Sequence, residues 1–67
     1  MRFPNQLTQR EVEVLRLVAE GLTDAQVAQK LFLSPGTVSW YVRSISGKLG
    51  VSSRTAAART AIEQHLI

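Results

Sequence analysis

The chain has 67 residues, carries a net charge of +3 and contains no cysteine. A chain of this length forms one domain with a small core, and the lack of cysteine excludes disulfides and thiolate metal sites. No apolar run approaches the roughly 20 residues of a membrane-spanning helix, and the N-terminus lacks the apolar segment of a signal peptide. We therefore expect a soluble, cytoplasmic domain.

The charges are divided unevenly along the chain. Residues 1–24 contain three arginines and four acids, a net charge of −1, whereas residues 25–67 contain five basic residues and one acid, a net charge of +4. No acid lies between Asp24 and Glu63. A surface of this kind favours a polyanion as partner.

The first predicted helix begins at a capping box. The Thr8 hydroxyl can accept from the backbone three residues on, while Glu11 reaches back to the Thr8 amide. Helical periodicity follows, and Gly21 can end the helix at positive φ. Helix 1 is therefore predicted over about residues 8–20. Its expected buried face consists of Val14, Leu15, Leu17 and Val18.

The next two predicted helices are separated by a short connection. A second capping box at Thr23 predicts helix 2 over about 24–31. Ser34 followed by proline is typical of a helix start and Gly50 of a helix end, so helix 3 is predicted over about 35–49. The expected buried residues are Val27, Ala28 and Leu31 in helix 2 and Val38, Val42, Ile45 and Leu49 in helix 3.

The last predicted helix is rich in alanine. Ser53 is a suitable N-cap, and helix 4 is predicted over about 54–65. No segment alternates with period two for long enough to form a strand. We therefore predict an all-α domain of four helices at 7–67, preceded at 1–6 by an N-terminal arm or linker remnant. The expected buried set of helix 4 is Ala57, Ala58, Ala61 and Leu66.

The outer face of helix 3 contrasts with its apolar stripe. It carries Gly36, Ser39, Trp40, Arg43 and Gly47. Two helices joined by a short turn, the second with a polar outer face, are typical of a helix-turn-helix, here at about 24–43. The second helix of that motif enters the major groove of DNA. The predicted base-contacting residues are Ser39, Trp40 and Arg43.

Phosphate contacts are predicted beside this face. One flank of helix 3 offers a hydroxyl and an ammonium group, and free backbone amides are expected at the N-termini of helices 2, 3 and 4, where phosphate binds readily. An arginine also lies at the start of helix 4. The predicted phosphate-contacting residues are Thr23, Ser34, Thr37, Lys48 and Arg54.

Four ordered strings of residues carry a family resemblance. They are LTxRExxVL at 7–15, EGLT at 20–23, VAxxLxLSxxTV at 27–38 and IxxKLGVxSR at 45–54. Together they resemble the LuxR/GerE-type helix-turn-helix domain of bacterial transcription factors, which include the output domains of many response regulators. The resemblance extends over almost the whole chain.

The resemblance implies DNA binding for transcription regulation. It implies that helix 3 contacts bases and that helix 4 commonly mediates homodimers on inverted-repeat sites. RNA polymerase is a further candidate partner. The predicted dimer-interface residues on helix 4 are Thr55, Arg59 and Ile62.

Three positions depart from the usual family pattern. Ser39 stands where lysine is common, Tyr41 where histidine is common and Ser44 where asparagine is common. The missing lysine removes one cation from the groove-facing side. It leaves open an alternative, a protein-interaction module of the same fold with lost or weak DNA binding, in which Trp40 serves as an interface anchor.

An enzyme is a third class, which the sequence disfavours. The one histidine, His65, lies near the end of helix 4, and the capping box and a solvated helix face explain Glu11 and Glu13. No phosphate-binding glycine loop or metal-ligand spacing is present. We therefore predict no catalytic residue, no cofactor, no metal and no small-molecule ligand.

Overall fold

The computed structural model describes residues 7–65, so the predicted arm at 1–6 and the predicted core residue Leu66 lie outside the described residues. Its elements are α1 (Gln9–Ala19), α2 (Asp24–Leu31), α3 (Pro35–Leu49) and α4 (Arg54–Glu63). Residues 7–65 contain no strand and no helix long and apolar enough to cross a bilayer. The prediction of a four-helix, all-α fold is confirmed.

Hydroxyl side chains determine where each helix begins. At Thr8 and Thr23 both hydrogen bonds of the capping box are present. Each cap of this kind stabilises a helix by about 1 kcal/mol, which explains why local sequence predicts these helix starts well. The four N-caps are Thr8, Thr23, Ser34 and Ser53.

The helix ends are less uniform than the starts. Gly21 and Gly50 adopt the positive φ expected of them, at 93° and 73°. Phe32 also has positive φ, 59°, and its side chain is 95% exposed, which the sequence does not signal because only glycine adopts this conformation without strain. Helix α4 ends at Glu63, two residues earlier than predicted, and its chain turns at His65 with φ 56°.

The core lies between the inward faces of the four helices and seats α3. Val38 and Ile45 of α3 are fully buried, as predicted. Burial of one such side chain stabilises the fold by about 1.5 to 3 kcal/mol. The predicted Leu17, Leu31, Val42, Leu49 and Ala58 are only partly buried at the edge of this core. The buried apolar residues are Leu7, Val12, Val14, Leu15, Val18, Val27, Ala28, Val38, Ile45, Ala57 and Ala61.

Candidate nucleic-acid interface

Helices α2 and α3 form a helix-turn-helix with a connection of three residues, 32–34. Phe32 ends α2 in the left-handed conformation, and the Leu33 amide then donates to the Ala28 carbonyl at 2.9 Å. Ser34 caps the next helix by accepting from the Thr37 amide at 3.2 Å. This tight connection fixes the direction in which α3 leaves α2.

The outer face of α3 is exposed and carries the three predicted base-contacting side chains. Ser39, Trp40 and Arg43 are all exposed, and Trp40 has 61% of its surface accessible. The Trp40 ring packs edge-on against Tyr41, with 5.4 Å between ring centroids and 72° between ring planes. The structure thus places an aromatic ring and a guanidinium within one turn of each other.

Two glycines leave space on the same helix. Gly36 and Gly47 are exposed, and a Cβ added at either would meet no other atom within 4 Å. Neither glycine is therefore required by packing inside the domain. Their small size permits another molecule to approach the α3 backbone closely.

A shallow depression adjoins this face on the side of α4. It is lined by Arg43, Ser46 and Gly47 of α3 and by Ser52, Ser53 and Arg54 at the start of α4. The lining thus combines hydroxyl groups with two guanidinium groups and contains no acid. Such a surface can donate several hydrogen bonds to an anionic backbone.

Three of the predicted phosphate-contacting residues are exposed at helix N-termini. Thr23 caps α2, and Ser34 caps α3. Thr37 lies in the first turn of α3, where its hydroxyl is 2.9 Å from that of Ser34. The caps bind the Gln26 and Thr37 amides, so the donors left at these two starts are the hydroxyl groups and the remaining first-turn amides.

Lys48, the fourth predicted phosphate contact, is bound to a buried acid. Its Nζ donates to Oε1 of Glu11 at 2.7 Å. The Thr8 amide donates to the same oxygen at 2.8 Å, and the Ser44 hydroxyl donates to the other carboxylate oxygen at 3.0 Å. Glu11 is only 3% exposed. We call Thr8, Glu11, Ser44 and Lys48 the Glu11 cluster; it joins the start of α1 to the inner flank of α3.

The cluster keeps Glu11 ionised. Burial alone raises the pKa of this carboxyl, but hydrogen bonds from Lys48, the Thr8 amide and Ser44 outweigh burial and lower the pKa below its ordinary value of 4.5. A buried carboxylate is stable only when its oxygens are paired in this way. Ser44, which departs from the family pattern, therefore contributes to the interior and not to the outer face.

Arg54, the fifth predicted phosphate contact, reaches across to the start of α2. One terminal nitrogen donates to the Asp24 carboxylate, and the other donates to the Leu22 carbonyl at 2.7 Å. The side chains of Arg54 and Asp24 are each about one third exposed. The sequence gives no signal for this pair, because 30 residues separate the two partners.

The predicted dimer residues share an exposed face of α4. Thr55, Arg59 and Ile62 are exposed and recur at spacings of four and three. Ala57 and Ala61, on the other side of the same helix, are buried in the core. The face is therefore available to a second molecule.

The sequence matches a known family over most of its length. Residues 5–61 match the model of bacterial regulatory proteins of the luxR family. The transcriptional regulatory protein LiaR of Bacillus subtilis is 44% identical over 61 residues, which make up 91% of this chain and 29% of LiaR. The DNA-binding transcriptional activator DevR/DosR of Mycobacterium tuberculosis is 46% identical over 57 residues, or 85% of this chain and 26% of that protein.

A solved structure agrees with the fold. The crystal structure of the response regulator ChrA of a heme-sensing two-component system superposes with a TM-score of 0.87 and 46% identity, covering 91% of this chain and 30% of that chain. The chain spans less than one third of the length of each of these three relatives. Since LiaR and DevR/DosR are named as transcriptional regulators, the comparisons agree with the prediction that the chain is not an enzyme. The chain belongs to the luxR family of bacterial regulatory proteins.

Proposed function

We propose that the chain binds double-stranded DNA sequence-specifically and thereby regulates transcription, with α3 in the major groove. The observation that carries this proposal is the outer face of α3, which presents Ser39, Trp40 and Arg43 to solvent on a helix seated by Val38 and Ile45. The major groove admits one helix and displays a different pattern of donors and acceptors for each base pair. In a response regulator, such a domain would serve as the output domain.

The three outer side chains suit different parts of the groove. Arg43 can donate to O6 and N7 of guanine with two parallel hydrogen bonds, or can clamp a phosphate. Trp40 offers an apolar edge that fits a thymine methyl group or a sugar. Ser39 both donates and accepts, so it discriminates little between bases. We therefore expect base preference to depend chiefly on Arg43.

The backbone contacts follow from the helix starts. Thr23, Ser34 and Thr37 offer hydroxyl groups at two helix starts, and a helix start suits phosphate. Lys48 has three ammonium protons, so it can reach a phosphate while it keeps its bond to Glu11. Arg54 is already bound to Asp24 and to the Leu22 carbonyl, which favours an indirect role.

We further propose a homodimer that uses Thr55, Arg59 and Ile62 of α4. Two copies would place two α3 helices about 34 Å apart, in successive major grooves of an inverted repeat. Sedimentation at high concentration tests this interface: Ile62→Arg should weaken self-association, whereas Gln29→Arg, which adds the same charge to an exposed position of α2, should not. An unchanged association constant for Ile62→Arg would exclude this face. Contact with RNA polymerase stays a prediction from the family resemblance.

Selection from random duplex DNA at two salt concentrations tests the function. We expect one enriched half-site and, if the dimer forms, a repeat spacing of about one helical turn. With about four phosphates contacted per protomer, log affinity should fall with log salt at about −0.9 per phosphate. Failure to enrich any sequence, together with no binding at low salt, would contradict the proposal and favour the protein-interaction module anchored by Trp40.

A further inference from the structure

Arg54 holds both sides of the residue that caps α2. Its guanidinium donates to the carbonyl of Leu22 and to the carboxylate of Asp24, which are the two chain neighbours of Thr23. A planar guanidinium can satisfy two such acceptors at once, because its donors point in fixed directions. The start of α4 is thereby tied to the start of α2, the helix that braces α3.

Asp24 is the only acid between residues 24 and 62 of the sequence. It occupies the first position of α2, next to the hydroxyl and amide donors proposed to meet a DNA phosphate. A carboxylate at this position stabilises the helix through the helix dipole, but it repels a phosphate approaching the same amides. Pairing with Arg54 offsets that charge, so the stabilising acid can remain in a surface that binds a polyanion.

We infer that Arg54 is a positioning residue for DNA binding. It acts through Asp24 and the Leu22 carbonyl, by neutralising the one acid of the helix-turn-helix and holding the start of α2 in place, and it does not itself contact a phosphate. The inference rests on the proposed DNA binding. In place of the predicted direct contact with a phosphate, Arg54 has a role that depends on its pairing with Asp24.

A double-mutant cycle separates the two roles of Arg54. The variants are Asp24→Asn, Arg54→Gln and the double mutant of the 67-residue chain, and the probe is a fluorescent duplex of about 30 base pairs of fixed mixed sequence at low salt. We expect Arg54→Gln to weaken binding about fivefold when Asp24 is present, as for a partly exposed charge pair. In the Asp24→Asn background the same change should alter affinity less than about twofold.

The salt dependence provides a second, independent measurement. If Arg54 touches no phosphate, Arg54→Gln should leave the slope of log affinity against log salt unchanged. Loss of a direct phosphate contact would reduce its magnitude by about 0.9. A merely structural role would lower the melting temperature, but it would not produce a loss of affinity that Asp24→Asn cancels.

Two controls match the changes in charge. Arg16→Gln and Glu20→Gln alter exposed residues of the α1 region, and each should change affinity equally with or without the Arg54→Gln change. If Arg54→Gln proves unfolded by circular dichroism, Arg54→Met, which also removes the charge, takes its place, and Asp24→Asn should again cancel its effect.

The outcomes distinguish this inference from the proposed function. An equal loss for Arg54→Gln in both backgrounds, or a reduced salt slope, would overturn the positioning role and leave DNA binding intact. Absence of binding by the unmodified chain would contradict the proposed function itself, and the positioning role with it.

Discussion

Helix α3 has two polar sides: the side chains of one are bonded within the domain, and those of the other are exposed to solvent. On the inner flank, Ser44 and Lys48 donate to the buried carboxylate of Glu11. On the outer face, Ser39 and Arg43 are exposed, and their side chains make no hydrogen bond or ion pair with other residues of 7–65. Residues of the same type therefore have different tasks on the two sides. Changes on the inner flank should affect stability, and changes on the outer face should affect binding.

The largest expected effect is the loss of stability caused by Glu11→Ala. The change removes half of a capping box and leaves Ser44 and Lys48 without their acceptor. Breaking a buried ion pair costs about 3 to 5 kcal/mol, and because Lys48 is about one third exposed we expect the lower end, about 3 kcal/mol, in urea unfolding. As a control, Glu13→Ala removes a partly exposed pair with Arg10 and should cost less than about 1 kcal/mol. Equal losses would show that the Glu11 cluster is not a special feature of the inner flank.

Acid should remove the stabilisation that the Glu11 cluster gives to the fold. The pKa of Glu11 is lower in the fold than its ordinary value of 4.5, so the folded state binds its proton less readily than the unfolded state. The stabilisation is therefore complete above about pH 4.5 and is lost as the pH falls through the folded pKa. The difference in unfolding free energy between the unmodified chain and Glu11→Gln should shrink over that range. If this difference stayed constant at all pH values down to acid unfolding, the stabilising role of the ionised Glu11 would be contradicted.

Arg43→Ala, on the outer face, should weaken DNA binding and leave stability almost unchanged. Removing a bidentate base contact costs about 1 to 3 kcal/mol in DNA binding and relaxes the preference at one base pair. The free energy of unfolding should change by less than about 0.5 kcal/mol, as for other surface substitutions. Fluorescence anisotropy on the selected site and on its single-base variants measures the first quantity. Arg16→Ala, which removes an exposed arginine from α1, is the matched control and should leave base preference unaltered.

The sequence predicts the parts of this comparison that depend on local pattern. The starts of α2 and α3 follow from their caps, the end of α3 follows from Gly50, and the inner and outer faces of α3 follow from helical periodicity. The exposure of Ser39, Trp40 and Arg43 could be predicted for that reason. The end of α4 could not, because no glycine marks it and the chain turns at His65 instead.

Contacts between distant residues escape the same reasoning. The sequence indicates that Glu11 caps α1, but its bonds to Ser44 and Lys48 join positions 33 and 37 residues apart. Arg54 and Asp24 are likewise 30 residues apart. Such pairs depend on how the helices pack, which periodicity does not specify. They matter because two of the predicted phosphate-contacting residues, Lys48 and Arg54, also form bonds within the domain.

The smallest expected effect compares two serines of α3 directly. Ser44→Ala removes one of the three donors to the Glu11 carboxylate and should cost about 1 kcal/mol of unfolding free energy, because a partly buried hydrogen bond to a charged group is lost. Ser39→Ala deletes the same hydroxyl from the exposed face and should change stability by less than about 0.5 kcal/mol. Because alanine has a higher helix propensity than serine, the Ser39 variant also measures the propensity gain to be subtracted at Ser44. If the two variants unfolded at the same urea concentration, the Ser44 bond would contribute nothing, and the division between the two sides of α3 would rest on Lys48 alone.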